Sequence, residues 1–401
     1  MIETQKRYAA YYLKLIRDNP QNITAVTDEL AHIRRAWGMI SSDDEATLQW
    51  VEAVLKFQYL QGLWVEFSSW LERGLSAARA LKRPQQEAML LTNLGELFRS
   101  LSQPRRAIEY FDAALPIFTE LGDDEGRAQT LANLGETYRN VGEWKRALDY
   151  LKQSLPLLAA KDSWVRYART LNRVALTYRN LGEPRRAVEC LGRALEVLER
   201  VPDPVVRAQT LSNLGLVYVD LKEYDAALDH LRAALNLQRA EGDRPSEAIT
   251  LLNFGLAYHG KEDYPEALNC YQQAIHIFEE VHDRANVARA LNNIGNIYKD
   301  HLKEPLKALA YHERALTLRK EVYDLPGQAI TLFNVAEIHR ELGHLAEAER
   351  LMEEVVTLDE QMRHPDLESD HKVLEQIRAE RASRPETQFE SARAEAHLPD
   401  A

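Results

Sequence analysis

Read for its apolar, small and polar positions, the chain falls into a cycle of 40 residues. The segment Leu131-Ala132-Asn133-Leu134-Gly135-Glu136-Thr137-Tyr138 returns 80 residues later as Leu211-Ser212-Asn213-Leu214-Gly215-Leu216-Val217-Tyr218. One small residue marks each cycle: Gly95, Gly135, Ala175, Gly215, Gly255 and Gly295, then Ala336 after a one-residue slip. A second beat runs through Ala107, Ala147, Ala187, Ala227, Ala267, Ala308 and Ala348. Such a period is the mark of one supersecondary unit stacked on copies of itself.

Each cycle reads as two helices, expected over 124–141 and 143–159 in the second repeat. Asp123, Asp203, Asp243, Asp283 and Asp324 stand just before the first helix, and Ser163 fills that slot in the third repeat. Their side chains suit the open N–H groups of a helix start. Gly142 and Gly182 close the first helix, where a left-handed residue is needed. Pro104, Pro184, Pro265 and Pro305 then open the second, where a missing N–H costs nothing. The slip near 301–305 falls in the turn between the two helices. The two small beats are expected to face each other and let the helices approach closely. The reading is all-α: a right-handed α-solenoid of stacked antiparallel helix pairs.

The order Leu91-x-x-Leu94-Gly95-x-x-Phe98, then Ala107-x-x-x-Phe111 and Ala114, resembles the tetratricopeptide repeat signature. The usual repeat has about 34 residues; the longer form here resembles the arrays of kinesin light chains and of the spindle-orientation scaffold family. Seven repeats are expected over 84–364, after atypical helical pairs over 1–83 (a cap pair and a degenerate repeat). A capping helix is expected over 365–382 and a disordered tail over 383–401. The opening, Arg7-Tyr8-x-x-Tyr11-Tyr12-Leu13 and later Glu29-Leu30-x-x-Ile33-Arg34-Arg35-Ala36-Trp37, resembles the start of helical sensor regions in bacterial signal-transduction ATPases.

Counting the small residue as position 8, the resemblance implies that positions 2, 5, 6, 9 and 12 of the first helix face a concave groove. Position 6 reads Asn93, Asn133, Arg173, Asn213, Asn253, Asn293 and Asn334, with Asn172 one place early in the third repeat. Asparagine is a poor helix-interior residue, so the column needs a reason. Two are open: a ladder of amides gripping the main chain of an extended peptide, or a ladder fixing one repeat on the next. The resemblance supports the first, since related arrays use asparagine at this register on peptide backbone.

Cations join the same face at Arg99, Arg139, Arg179, Lys299 and Arg340 of position 12, and at Arg169 and Arg289 of position 2. Leu216, Val219, Leu252 and Leu256 make the middle apolar. The expected ligand is a protein or peptide with acidic groups flanking an apolar centre. Pairing of the arginines with Glu96, Glu136 and Glu337 is the plainer alternative.

Composition narrows the classes. With 50 Lys and Arg against 62 Asp and Glu, the net charge of −12 opposes a dedicated nucleic-acid binder. Cys190 and Cys270 read as small hydrophobes of the second helix. The N-terminus has no long apolar run, no stretch is long enough to cross a bilayer, and a cytoplasmic location is expected. P-loop, dinucleotide and zinc-protease motifs are absent, so neither cofactor, metal nor catalysis is expected. The function expected is a non-catalytic interaction scaffold. The alternative is a sensor or regulatory module working with a signal-transduction ATPase or a transcription regulator.

Overall fold

The structure is a computed structural model describing residues 2–18, 28–40, 42–55, 64–101, 103–362 and 366–383. Among these residues there are nineteen helices and no strand. Four precede the regular array: α1 (Ile2–Asp18), α2 (Leu30–Ile40), α3 (Asp44–Val54) and α4 (Trp64–Ala80). Then come α5 (Pro84–Ser100) with α6 (Pro104–Leu121), α7 (Asp124–Asn140) with α8 (Trp144–Ala160), and α9 (Trp164–Asn180) with α10 (Pro184–Arg200). They continue as α11 (Pro204–Asp220) with α12 (Tyr224–Glu241), and α13 (Arg244–Gly260) with α14 (Tyr264–Glu280). The last pairs are α15 (Arg284–Asp300) with α16 (Pro305–Glu321) and α17 (Leu325–Glu341) with α18 (Leu345–Met362), closed by α19 (Leu367–Ser383). The fold is an all-α solenoid of antiparallel helix pairs. Packing divides the chain into an N-terminal unit, 1–210, and a C-terminal unit, 211–401, the division falling inside α11. The tail beyond Ser383 lies outside the described residues.

Helix starts follow local chemistry. Asp123, Asp203, Asp243, Asp283 and Asp324 each accept a hydrogen bond from the backbone N–H three residues on, at 2.9–3.2 Å. Ser163 occupies the same slot of α9 without a side-chain bond, so that expected cap is missing. Pro104, Pro184 and Pro305 are the first residues of α6, α10 and α16, and Pro265 is the second of α14. Gly142 and Gly182 take φ of 80° and 75° in the turns.

Within a pair the small beat meets a large side chain rather than only the opposite alanine. The residue covering it lies four places after that alanine, one helical turn on. Gly95 faces Phe111, Gly135 faces Leu151, Gly215 faces Leu231, Gly255 faces Tyr271 and Gly295 faces His312. Phe111, Leu151, Leu231, Tyr271 and His312 are all fully buried. Each such apolar side chain contributes on the order of 1.5–3 kcal/mol, and the hydrogen in place of Cβ is what lets it in.

A second clamp was not read from the sequence. The aromatic at position 11 stacks on a ring of the pair's second helix: Phe98 on Tyr110, Tyr138 on Tyr150, Tyr218 on His230 and Tyr298 on Tyr311. Centroid separations are 5.3–5.4 Å and the planes nearly parallel. Arg106 and Arg146 lie 3.6 and 4.2 Å from the ring centroids of Phe98 and Tyr138, adding a cation–π contact.

Candidate binding surface

Helical geometry turns successive residues by 100°, which sorts the first-helix columns into distinct environments. Position 2 is the open one: Arg169 and Arg289 are exposed, as are Ile249 and Ile330. Position 5 is closed at Thr92, Asn172, Ser212, Leu252 and Asn292, all buried, and opens only in the last pair, where Phe333 is half-buried. It lies beside the next pair, where a column of threonines at position 3 receives it. The Thr92 and Thr130 hydroxyls are 3.2 Å apart, Asn172 Nδ2 donates to Thr210 Oγ1 at 2.9 Å, and Thr250 donates to Ser212 at 2.9 Å. This threonine column went unnoticed in the sequence because nothing local marks it; it acquires a role only when pairs are set side by side.

The asparagine column bonds largely backwards. Asn133 Nδ2 donates to Glu96 at 2.6 Å, Asn253 Nδ2 to Ser212 at 3.3 Å, and Asn334 Nδ2 to Asn292 and Asn296 at 3.1 and 3.3 Å. Asn133 and Asn253 are each 2% exposed. Asn93 turns to its own helix, donating to the Met89 carbonyl at 2.7 Å. Asn213 and Asn293 are half-buried. The amides of Asn133, Asn172, Asn253 and Asn334 therefore join one pair to its neighbour, which limits what they can offer a peptide. Asn253 Oδ1 is buried with no partner.

Leu252 and Leu216 also differ from expectation. Leu252 is fully buried in the C-terminal core and Leu216 is 8% exposed, so neither supplies groove surface. Both stand where an apolar side chain packs against a neighbouring helix better than it could face water. Val219 and Leu256 pack on the same core with part of their surface open.

A cluster of part-buried charges lies on the first helices of the N-terminal unit. Glu136 accepts from Arg139 Nη2 at 2.5 Å and lies 3.6 Å from Arg173 Nε. Burial pushes the Glu136 carboxyl up, but Arg139, Arg173 and Arg99 outweigh it and hold it below the usual carboxylate range. Arg173 is pulled down by burial; Glu136 opposes this, while Arg99 adds to it. Glu96, the second acid, is taken by Gln129 and Asn133. Three guanidiniums thus meet two carboxylates, and the Nε atoms of Arg99 and Arg139 are buried without a hydrogen-bond partner. Arg179 is half-buried and engaged.

In the C-terminal unit the cations of position 12 are engaged by acids. Lys299 Nζ reaches Glu341 at 3.9 Å. Arg340 is taken by Glu380 of α19 and by Glu337, 3.3 Å away, so it is not open to a ligand. Cys190 and Cys270 are free thiols, and burial pushes Cys270 up to about 11. Among the described residues no group of His, Cys, Asp and Glu has the arrangement of a metal site, and no helix is long and apolar enough to cross a membrane.

The sequence matches the tetratricopeptide repeat model over residues 61–160, 166–240, 206–280 and 286–361. No curated protein matches it. Among solved structures it is similar to a Rap protein complexed with Competence and Sporulation Factor. Identity is 17%, over 90% of this chain and 99% of that one, with a TM-score of 0.62. The apo form of the quorum sensor NprR from B. thuringiensis is similar at 16% identity, 89% of this chain, 99% of that one and a TM-score of 0.59. A Signal Transduction ATPase with Numerous Domains from Pyrococcus horikoshii carries a tetratricopeptide repeat sensor. It is similar at 16% identity, 92% of this chain, 55% of that one and a TM-score of 0.54. At these identities the likeness is one of fold. The family model spans most of the chain, and the chain belongs to the tetratricopeptide repeat family.

Proposed function

We propose that the protein is a non-catalytic scaffold that binds an extended peptide or partner helix on the first-helix faces of its pairs. One observation carries this reading: the unbalanced arginine cluster of Arg99, Arg139 and Arg173 over Glu96 and Glu136. A buried guanidinium Nε without an acceptor costs free energy that an incoming carboxylate would recover. The acidic group of the ligand is therefore assigned to the N-terminal unit, with Arg169 at the open edge of the same face. Asn93, Asn213 and Asn293 are half-buried, so each keeps some surface that a peptide main chain could meet. Likeness to a Rap protein bound to a factor supports a ligand-holding role for such an array.

An array of peptides with and without acidic residues tests this, probed with the wild type and with Arg99→Gln combined with Arg139→Gln. Acidic peptides should bind the wild type and lose about 10- to 100-fold on substitution, the worth of a charge-assisted bond or two. Retention of acidic peptides by the variant at full affinity would sink the reading.

A second reading makes the chain the sensor of a signalling ATPase, and likeness to the Pyrococcus horikoshii sensor favours it. Co-purification from the native cell should then retain a nucleotide-binding protein. Recovery of partners without one speaks for the plain scaffold.

A further inference from the structure

Beside the last helix, a cavity of about 210 Å³ opens among α17, α18 and α19. Ile330, Phe333 and Asn334 line it from α17, Asp359 from α18, and Asp366 and Asp370 at the start of α19. A water takes roughly 30 Å³, so the space suits a group several times larger. Its apolar wall is open: Ile330 is 55% exposed and Phe333 half-buried.

The acidic wall is anomalous. Asp359 is 1% exposed, and its Oδ2 is buried with no hydrogen-bond partner. Asp370 is its hydrogen-bonded neighbour, and burial together with Asp359 pushes the Asp370 carboxyl up to about 7. Among the described residues, the arginines and the lysine of the surrounding helices are held elsewhere. Glu380 and Glu337 hold Arg340, Glu349 is shared by Arg378 and Arg381, and Glu368 takes Lys372. Among the described residues one carboxylate oxygen of this wall, Asp359 Oδ2, is buried without a donor, and the neighbouring carboxyl of Asp370 adds a second acceptor beside it.

We infer that this cavity receives a protonated primary amine carried on an apolar group. The ammonium places its N–H donors on Asp359 and Asp370, and the carbon body lies on Ile330 and Phe333. An ammonium offers three donors and no acceptor, which matches a wall of acceptors. Ile330, Phe333 and Asn334 sit at positions 2, 5 and 6 of the last pair. In a bound peptide the amine is accordingly an amino terminus or a lysine. That identification rests on the peptide reading; the amine site does not.

The full chain can be titrated calorimetrically with isopentylamine and with isopentanol, which has the same shape and no charge. An apolar tripeptide amide, with a free and with an acetylated amino terminus, gives the second pair of probes. The amine should bind at least about tenfold more tightly than the alcohol, a difference of 1.4 kcal/mol. Asp359→Asn combined with Asp370→Asn should abolish that difference while the helical circular dichroism stays intact. If that variant does not fold, Asp370→Asn alone, at a half-exposed position, should still weaken the amine several-fold. Equal binding of amine and alcohol overturns the proposal, and so does amine binding unchanged in the aspartate variants. Tighter binding of the free tripeptide than of isopentylamine, lost on acetylation, assigns the site to a peptide; the reverse assigns it to a small amine. Arg99→Gln with Arg139→Gln should leave isopentylamine binding untouched, so failure of the acidic-peptide reading is separable from failure of this one.

Discussion

Gly255 shows how tightly single residues are constrained. An ideal Cβ there would lie 2.3 Å from Cε1 of Tyr271, whose ring has no exposed surface and no room to retreat. Gly255→Ala should therefore cost about 1–3 kcal/mol, as overpacked cores do, measured by urea denaturation. Gly192 is the contrast: a Cβ there meets nothing within 4 Å, and Gly192→Ala should stabilise α10 by about 0.5–1 kcal/mol. Both glycines are visible in the sequence, but only the 40-residue beat tells them apart. What that beat did not reveal is the partner, since the residue over each glycine is set by the helix crossing.

His312 carries a pH dependence. It fills the slot held by Leu151, Leu231 and Tyr271 in other pairs, fully buried, with Nδ1 3.1 Å from Asn292 Oδ1 and Nε2 without a partner. Burial, then Lys299 and Arg319, drive its pKa down to about 4. The unfolded chain, with a histidine near 6.5, binds the proton first. Stability is thus complete above about pH 6.5 and falls as pH drops towards 4, by about 3 kcal/mol at the limit. Asp370 has the opposite sign, losing its contribution as pH rises towards its folded value of about 7. A comparison with His312→Leu isolates the histidine: the variant's melting temperature should fall less than the wild type's between pH 7 and 4.5. Parallel decline of the two would refute the assignment.

At the scale of helices and turns, the caps were legible because an aspartate and the N–H it serves lie three residues apart. Ser163 was misread as a bonding cap since identity alone does not say where a hydroxyl points. The inserted residue before Pro305 was also legible, and the structure shows how it is absorbed. Glu143, Glu183 and Glu223 each return a backbone N–H to the carbonyl of the tyrosine five places back. Glu304 makes the same bond to Tyr298, six places back, at 2.9 Å. The extra residue bulges out and the pairing of helices survives. The asparagine column was visible too, but its purpose was not, because both of its uses satisfy the same amide. Asn253 donates to Ser212 on the neighbouring helix from a nearly closed position. Asn253→Ala is accordingly expected to lower stability by about 1 kcal/mol, where a purely ligand-facing amide would leave it unchanged. Thermal melts of the two proteins decide between them.

Across the whole molecule, composition and period gave the all-α solenoid and the family, whereas charge gave only an average. A net charge of −12 conceals a local excess of arginine in the N-terminal unit and, in the C-terminal one, a pair of aspartates with one buried oxygen unpartnered. The arginines and Glu136 stand in the columns and their pairing was legible there, whereas the aspartates lie on α18 and α19, outside any column. Arg340 illustrates the point: it belongs to the cationic column by register, yet Glu380, forty residues on, claims it.

That ion pair belongs to a helix with another consequence. Leu374 and Ile377 of α19 are buried against the core of the last pair, while Glu375, Gln376 and Arg378 face outwards. A repeat array is intrinsically a growing object, because the surface that accepts one pair would accept another, from any chain. We propose that α19 acts as a terminator, covering the apolar face of the pair before it with a charged one. Deleting 366–383 should let chains add head to tail, so that the mass seen by light scattering climbs with concentration. A truncated chain whose mass stays constant would show that the end is closed by something else.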